Sequence, residues 1–287
     1  MLAKFFSVLV SGLTAAALVA GCTTGVGGTA APEPSDSNPA ATGLPTPVLP
    51  PAAAKFDYQL GGAYDPPNGV TVVARDRLAP PSGAGYDICY INGFQTQPAD
   101  SEAFRQAHPE LLVQIDGQPV RDPKWTDEYL YDTSSPQNRE ALASLVKPWI
   151  EGCKSAGYSA VEIDNLDSFL RSQGKLTAEQ NILLAAEYAR LAHSSGLAIA
   201  QKNTKEYSKE MRGAGYDFAV AESCFRWEEC TEYLDHYPVV LDIEYTDELG
   251  ASAFPAACQS PDRPTAMIIR DHYLVAAKDP DYYYRTC

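Results

Sequence analysis

The chain has 287 residues and carries 22 Lys and Arg against 37 Asp and Glu, a formal net charge of −15. No basic patch or arginine-rich strip relieves that excess, which argues against nucleic acid as a partner, because gripping phosphates takes concentrated positive charge. An acidic surface draws cationic polymers, and it also keeps an exported protein soluble.

The first residues contain one charge, Lys4, and then an apolar run from Phe5 to Ala20 broken only by Ser, Gly and Thr. Residues 1–21 therefore predict a secretory signal, too short and too polar for a transmembrane span. Val19, Ala20 and Gly21 lead directly into Cys22, an arrangement that resembles the bacterial lipobox. The resemblance implies acylation of Cys22 and a protein held by lipid on the extracytoplasmic face of a membrane. An ordinary signal peptide and an uncleaved anchor are the alternatives. From residue 22 to residue 54 the chain is rich in Pro, Ala, Gly and Thr and has no aromatic residue. Such a segment buries too little to offset its ordering entropy, so it reads as a flexible tether. Residues 55–287 then form one domain of the larger kind. Only Lys4, Glu33 and Asp36 precede it, so it holds 21 basic and 35 acidic groups, a net of −14.

Six cysteines remain after Cys22, an even number that in an exported chain reads as three disulfides, with 15 possible connectivities. The favoured set takes the neighbours Cys224–Cys230 first, then Cys89–Cys153 and Cys258–Cys287. No C-x-x-C or H-x-x-x-H pair occurs, so no metal site is expected, and no motif calls for a cofactor.

Along the domain, short apolar runs predict strands at Val70–Ala74, Tyr86–Ile91, Leu111–Ile115, Ala160–Ile163, Leu197–Gln201, Phe218–Ala221, Val239–Ile243 and Ala266–Ile269. Several are almost continuously apolar, as strands covered on both faces should be. Helix patterns run from Ser135 to Ala156 and from Thr177 to Ser195, the second ending at Gly196. Eight strands alternating with helices point to a (β/α)8 barrel. A doubly wound open sheet is the alternative, but no glycine-rich phosphate loop follows a strand. Only the proline-rich stretch Leu78–Gly85 separates the first two predicted strands, so the helix usual there is missing or reduced.

In a barrel of this kind, functional groups project from the carboxyl ends of the strands. Those ends here carry Asp164-Asn165-Leu166-Asp167, Gln201-Lys202-Asn203, Glu222-Ser223-Cys224, Glu244-Tyr245 and Arg270-Asp271-His272. One such charge could belong to a structural ion pair, but four or five on one rim suggest chemistry, because buried charge is costly unless paired. Facing carboxylates with a nearby lysine, tyrosine and amides suit cleavage of a glycosidic bond, one acid steadying the sugar carbon and the other protonating the leaving oxygen. Competing signatures are absent: there is no G-x-S-x-G elbow and no H-E-x-x-H helix.

Several segments in order resemble glycoside hydrolase family 114, the endo-α-1,4-polygalactosaminidases and their relatives. They are Tyr58–Gly62, Trp125 with Glu128–Asp132, Val161–Asp167, Gln201–Asn203, Ala221–Phe225 with Cys230, and Ile243–Tyr245. The resemblance spans nearly the whole domain and implies a TIM barrel. It places the catalytic pair on Asp164 and Glu222, with Asp164 as nucleophile and Glu222 as general acid/base by analogy with other barrel glycosidases. That split implies a retaining mechanism with carboxyl groups about 5–5.5 Å apart. Asp167, Lys202, Asn203, Glu244 and Tyr245 match family positions around the sugar, Lys202 balancing the charge of Asp164. Tyr58, Tyr90, Asn92, Asp116 and Asp271 are candidates for the cleft wall. The implied partner is an extracellular amino-sugar polymer, cationic and so suited to an acidic rim, cut by a monomer. Where the family shows an aromatic-rich segment followed by an arginine and an aspartate, this chain has Cys89–Gln95 followed by Thr96-Gln97-Pro98. That departure lies in a loop expected to meet substrate and leaves the sugar and the linkage open. A glycan-binding protein that does not cut is the alternative function.

Overall fold

The computed structural model describes residues 46–287; the signal segment, Cys22 and the tether as far as residue 45 lie outside them. The chain runs through β1 (Phe56–Gln59), β2 (Val72–Asp76), β3 (Tyr86–Asn92), α1 (Ser101–Ala107), β4 (Gln114–Ile115), β5 (Gln118–Pro119) and α2 (Pro136–Ala156). It continues through β6 (Ala160–Asp164), α3 (Ser168–Arg171), α4 (Ala178–Ser194), β7 (Ala198–Lys202), α5 (Ser208–Gly213), β8 (Phe218–Glu222) and α6 (Cys230–Leu234). The last elements are β9 (Val240–Tyr245), α7 (Phe254–Ala257), β10 (Ala266–Arg270) and β11 (Tyr284–Thr286). The main sheet has the order β1-β2-β3-β6-β7-β8-β9-β10-β11, and its first eight strands are all parallel. It is the expected (β/α)8 barrel, with no helix after β1 or after β2.

One strand expectation needs correction, and one strand was not expected. Leu111–Ile115 is not a barrel strand: Pro109 opens a single 3-10 turn over Pro109–Leu111, and Asp116 and Gly117, both at positive φ, fold β4 back on β5. The Asp-Gly pair is suited to this tight hairpin. The run is apolar because Val113 joins Val120, Leu130 and Leu176 in a small core of its own. The strand that takes its place is β1, which escapes an apolar scan because Asp57 and Gln59 alternate with Phe56 and Tyr58. Within the stretch read as tether, Leu49 and Ala54 pack on the barrel core and Val48 O accepts a bond from the Tyr86 hydroxyl.

Two cores hold the barrel together. Phe56, Tyr58, Val72, Ile88, Ala160, Ala200, Phe218, Leu241, Ile243 and Ile268 fill the interior. Their neighbours of opposite parity, among them Ile91, Val161, Ile163, Ile199 and Ala219, face Leu142, Val146, Ile150, Leu184 and Tyr188 of α2 and α4. Both long helices are set by their caps. Ser135 accepts from Asn138 N ahead of Pro136, and Thr177 and Gln180 form a capping box, each cap worth about 1 kcal/mol.

No ladder joins β10 to β1. Side chains close that seam instead. The buried Arg270 guanidinium donates to Asp57 Oδ1 at 3.0 Å and to Tyr58 O on β1, and the Tyr284 hydroxyl of β11 donates to Phe56 O at 2.9 Å. Disulfides Cys89–Cys153, Cys224–Cys230 and Cys258–Cys287 tie β3 to α2, close the loop after β8, and fasten the C-terminus. No helix among the described residues is long and apolar enough to cross a membrane.

Candidate active site

Strand periodicity decides which of the candidate residues meet. Side chains alternate across a strand, so residues two apart share a face. On β6 the interior face carries Ala160, Glu162 and Asp164; on β7, Ala198, Ala200 and Lys202; on β8, Phe218, Val220 and Glu222; on β9, Leu241, Ile243 and Tyr245. Three of these strands then turn sharply: Asn165, Asn203 and Ser223, the residues that follow Asp164, Lys202 and Glu222, sit at φ of 67°, 51° and 57°. Asparagine tolerates this left-handed region and serine less readily. The kinked residues also hold the acids. Asn165 N donates to Asp164 Oδ1 at 2.7 Å, and Asn203 both donates to Glu222 Oε2 and accepts from Glu222 N, each at 2.8 Å.

Lys202 lies at the centre. Its ammonium is 3.1 Å from Glu222 Oε2, 3.3 Å from Asp164 Oδ2 and 3.8 Å from Glu162 Oε1. The Lys202 side chain is 3% exposed and that of Glu162 is fully buried, while Asp164 and Glu222 keep 17% and 29%. Only the last two can meet a ligand. Three tyrosines complete the ring, donating to Glu162 (Tyr58, 2.6 Å), Asp164 (Tyr90, 2.8 Å) and Glu222 (Tyr245). Burial and the adjacent carboxylates push all three phenols well above their usual range, so they remain donors.

Burial acts against the Lys202 ammonium, but the three carboxylates outweigh it and hold the charge well above the ordinary lysine range. At Glu222 burial is likewise outweighed, by Lys202, Tyr245 and Asn203, and its carboxyl is held below the usual value. Glu162 goes the other way: burial pushes it up to about 7 despite Lys202 and Tyr58. Asp164 and Glu222 each place an oxygen on one nitrogen, so those oxygens can be no further apart than the two distances together, about 6.4 Å. Separations above about 6.5 Å belong to inverting glycosidases, which must fit a water between their acids.

Other expected residues lie elsewhere. Glu244, one residue out of phase, is fully buried outside the barrel lumen, where it accepts from Phe225 N and Arg226 N at 3.0 and 3.2 Å. It anchors the loop after Glu222 and does not line the cleft; burial raises both it and its neighbour Asp242. Asp271 pairs with Arg270 at 3.2 Å and accepts from Val275 N and Tyr283 N, shaping the last loop. Asp116 is exposed at the β4–β5 turn. Asp167 pairs with Arg171 at 2.7 Å beside the cluster. Asn92 accepts from Asn165 and donates to Glu128, whose carboxyl burial pushes up to about 7.

Three participants were missed in the sequence. Glu162 was legible, since it shares the face of Asp164 in V-E-I-D. Glu128 and Arg171 sit in loops without periodicity. Arg171 reaches Asp122 at 2.5 Å and Gln95 at 2.8 Å, bringing a guanidinium from α3 to the segment after β3.

Residues 37–287 match the model of glycoside hydrolase family GH114, and the chain belongs to that family. No curated protein is significantly similar to it in sequence. Among solved structures, Ega3 of Aspergillus fumigatus, in complex with galactosamine, is similar with a TM-score of 0.66 at 20% identity, over 84% of this chain and 98% of that one. The glycoside hydrolase domain of PelA from Pseudomonas aeruginosa is similar with a TM-score of 0.55 at 17% identity, over 79% of this chain and 98% of that domain. At these identities the likeness speaks for the fold.

Proposed function

We propose that this GH114 glycoside hydrolase cleaves an extracellular polymer containing α-1,4-linked galactosamine, with retention at the sugar carbon. The observation that carries the reading is the Lys202 bridge, which sets one oxygen of Asp164 and one of Glu222 on the same nitrogen at the mouth of the barrel. Asp164 attacks the anomeric carbon while Glu222 gives a proton to the departing glycosidic oxygen. Glu222 then takes a proton from water, and that water's oxygen displaces Asp164 from the sugar. Lys202, Tyr90 and Tyr245 stay fixed through both steps, so the charge that shifts between the acids meets donors already in place.

A cationic substrate suits the site: the two acids open to solvent, Asp164 and Glu222, share a single lysine, and the 60%-exposed Asp247 adds negative charge near Tyr245 through His272. The galactosamine bound to Ega3 supports the choice of sugar.

The test is release of reducing ends from a galactosamine polymer, with the product's anomeric form followed by NMR. Wild type should release the retained anomer first, and Asp164→Asn and Glu222→Gln should each lose about a thousand-fold or more in kcat. Wild type that binds the polymer but releases no ends refutes the reading and leaves a binding protein. We also propose that Cys22 carries the lipid and that the barrel acts from the outer face of a membrane. Labelled fatty acid should enter wild type and not Cys22→Ser; equal labelling refutes the anchor.

A further inference from the structure

The proposed mechanism needs a proton on Glu222, yet Lys202, Tyr245 and Asn203 all favour its ionised form. A store for that proton lies directly beneath. Glu162 is fully enclosed, its Oε1 takes the Tyr58 hydroxyl at 2.6 Å, and its Oε2 has no hydrogen-bond partner. With one oxygen bare, the ionised carboxylate is costlier than the neutral carboxyl, because burying a charge costs far more than burying a neutral polar group. Among the described residues Lys202 is the cation that pairs with both acids, at 3.1 Å from Glu222 Oε2 and at ion-pair distance, 3.8 Å, from Glu162 Oε1.

We propose that Glu162 is a positioning residue that stores the general acid's proton and delivers it to Glu222 through Lys202. In the transfer the Lys202 ammonium gives one proton to the Glu222 carboxylate and takes one from the Glu162 carboxyl. Lys202 ends as it began, Glu162 becomes the carboxylate, Glu222 becomes the acid, and no proton enters from solvent. The two arrangements carry the same number of protons. The active form therefore persists until the pair as a whole loses a proton, as coupled groups do. Burial places that loss at Glu162, about pH 7, well above where Glu222 would ionise alone.

The groups facing Glu162 are all accounted for. Tyr58 comes from β1, Tyr90 from β3, Asp164 from its own strand, Lys202 from β7, Glu222 from β8 and Tyr245 from β9. Asp76 on β2 is held by Gln97, and Arg270 on β10 is held by Asp57 and Asp271.

The inference rests on the hydrolase reading, and two measurements keep the two apart. The first needs no substrate. In protein labelled with 13C at the glutamate carboxyl carbon, the signals that titrate near pH 7 should include one absent from Glu128→Gln and another absent from Glu162→Gln. If Glu162→Gln removes no such signal, the store does not exist, whatever the enzyme cuts. The second is the pH profile of kcat/KM on the galactosamine polymer. Its alkaline limb should lie near pH 7 in wild type and move at least two units to the acid side in Glu162→Gln, where Glu222 must hold its proton alone. A variant slower at every pH with an unmoved limb overturns the relay and leaves Glu162 a packing residue. Tyr58→Phe removes a bond that favours ionised Glu162, so it should move the limb to higher pH; this variant decides the matter if Glu162→Gln does not fold.

Discussion

Replacing Arg270 with methionine removes the clamp on the one barrel seam that no strand ladder closes. The guanidinium donates to Asp57 Oδ1 (3.0 Å), Tyr58 O, the Tyr64 hydroxyl (3.1 Å), Asp271 Oδ2 (3.2 Å), and the carbonyls of Val275 and Tyr283 (each 3.0 Å). Methionine fills much of the volume but leaves Asp57, which is itself fully buried, without its cation. Breaking a buried pair from one side costs about 3–5 kcal/mol, and orphaned carbonyls add roughly 1 kcal/mol more. We expect urea unfolding to show a loss of about 5 kcal/mol and the thermal midpoint to fall by roughly 10–20 °C. The loss should be partial rather than total, because Tyr284 still bridges β11 to β1. Adding Asp57→Asn to Arg270→Met should recover about 2 kcal/mol, since it removes the unpaired charge. A single variant that loses less than about 1 kcal/mol, or a double variant no better than the single, would refute the clamp.

Two other outcomes follow from the same structure. Glu128 is raised to about 7 by burial, so the folded state keeps its proton where the unfolded chain has lost it, and its contribution to stability falls as pH rises from about 4.5 to 7. Wild type should therefore lose more stability between pH 5 and pH 8 than Glu128→Gln, by at most about 3 kcal/mol in urea titrations; equal slopes would count against a protonated Glu128. Among the disulfides, Cys89–Cys153 spans 64 residues and Cys224–Cys230 only 6. Chain entropy then assigns about 4 kcal/mol to the first and about 2 kcal/mol to the second, and paired alanine substitutions compared by unfolding midpoint should keep that order.

The comparison of sequence with structure is clearest on β6 and β9. Both were found from their apolar runs, and both carry acids near their ends, yet Glu162 was passed over and Glu244 was assigned to the sugar. Counting in twos from Asp164 and from Tyr245 reverses both assignments, because a strand sends alternate side chains to opposite faces. β1 was hidden for a different reason. The charge of its buried Asp57 is balanced by Arg270, 213 residues later, and no local pattern announces that partner. Leu111–Ile115 shows the converse: an apolar run is a statement about burial, and burial is also available in a loop.

The sequence by itself showed a chain of alternating strands and helices and so pointed to a barrel, since apolar period, caps and turn residues act over a few neighbours. It also marked Asp164, Lys202 and Glu222 as strand-end residues with chemistry to do. Only the tertiary structure decided that one ammonium bridges the two outer acids, and that a third acid lies sealed beneath it. Those facts depend on the register and closure of eight strands, and distances of 3.1 to 3.8 Å between groups from different strands are fixed only when the barrel is shut.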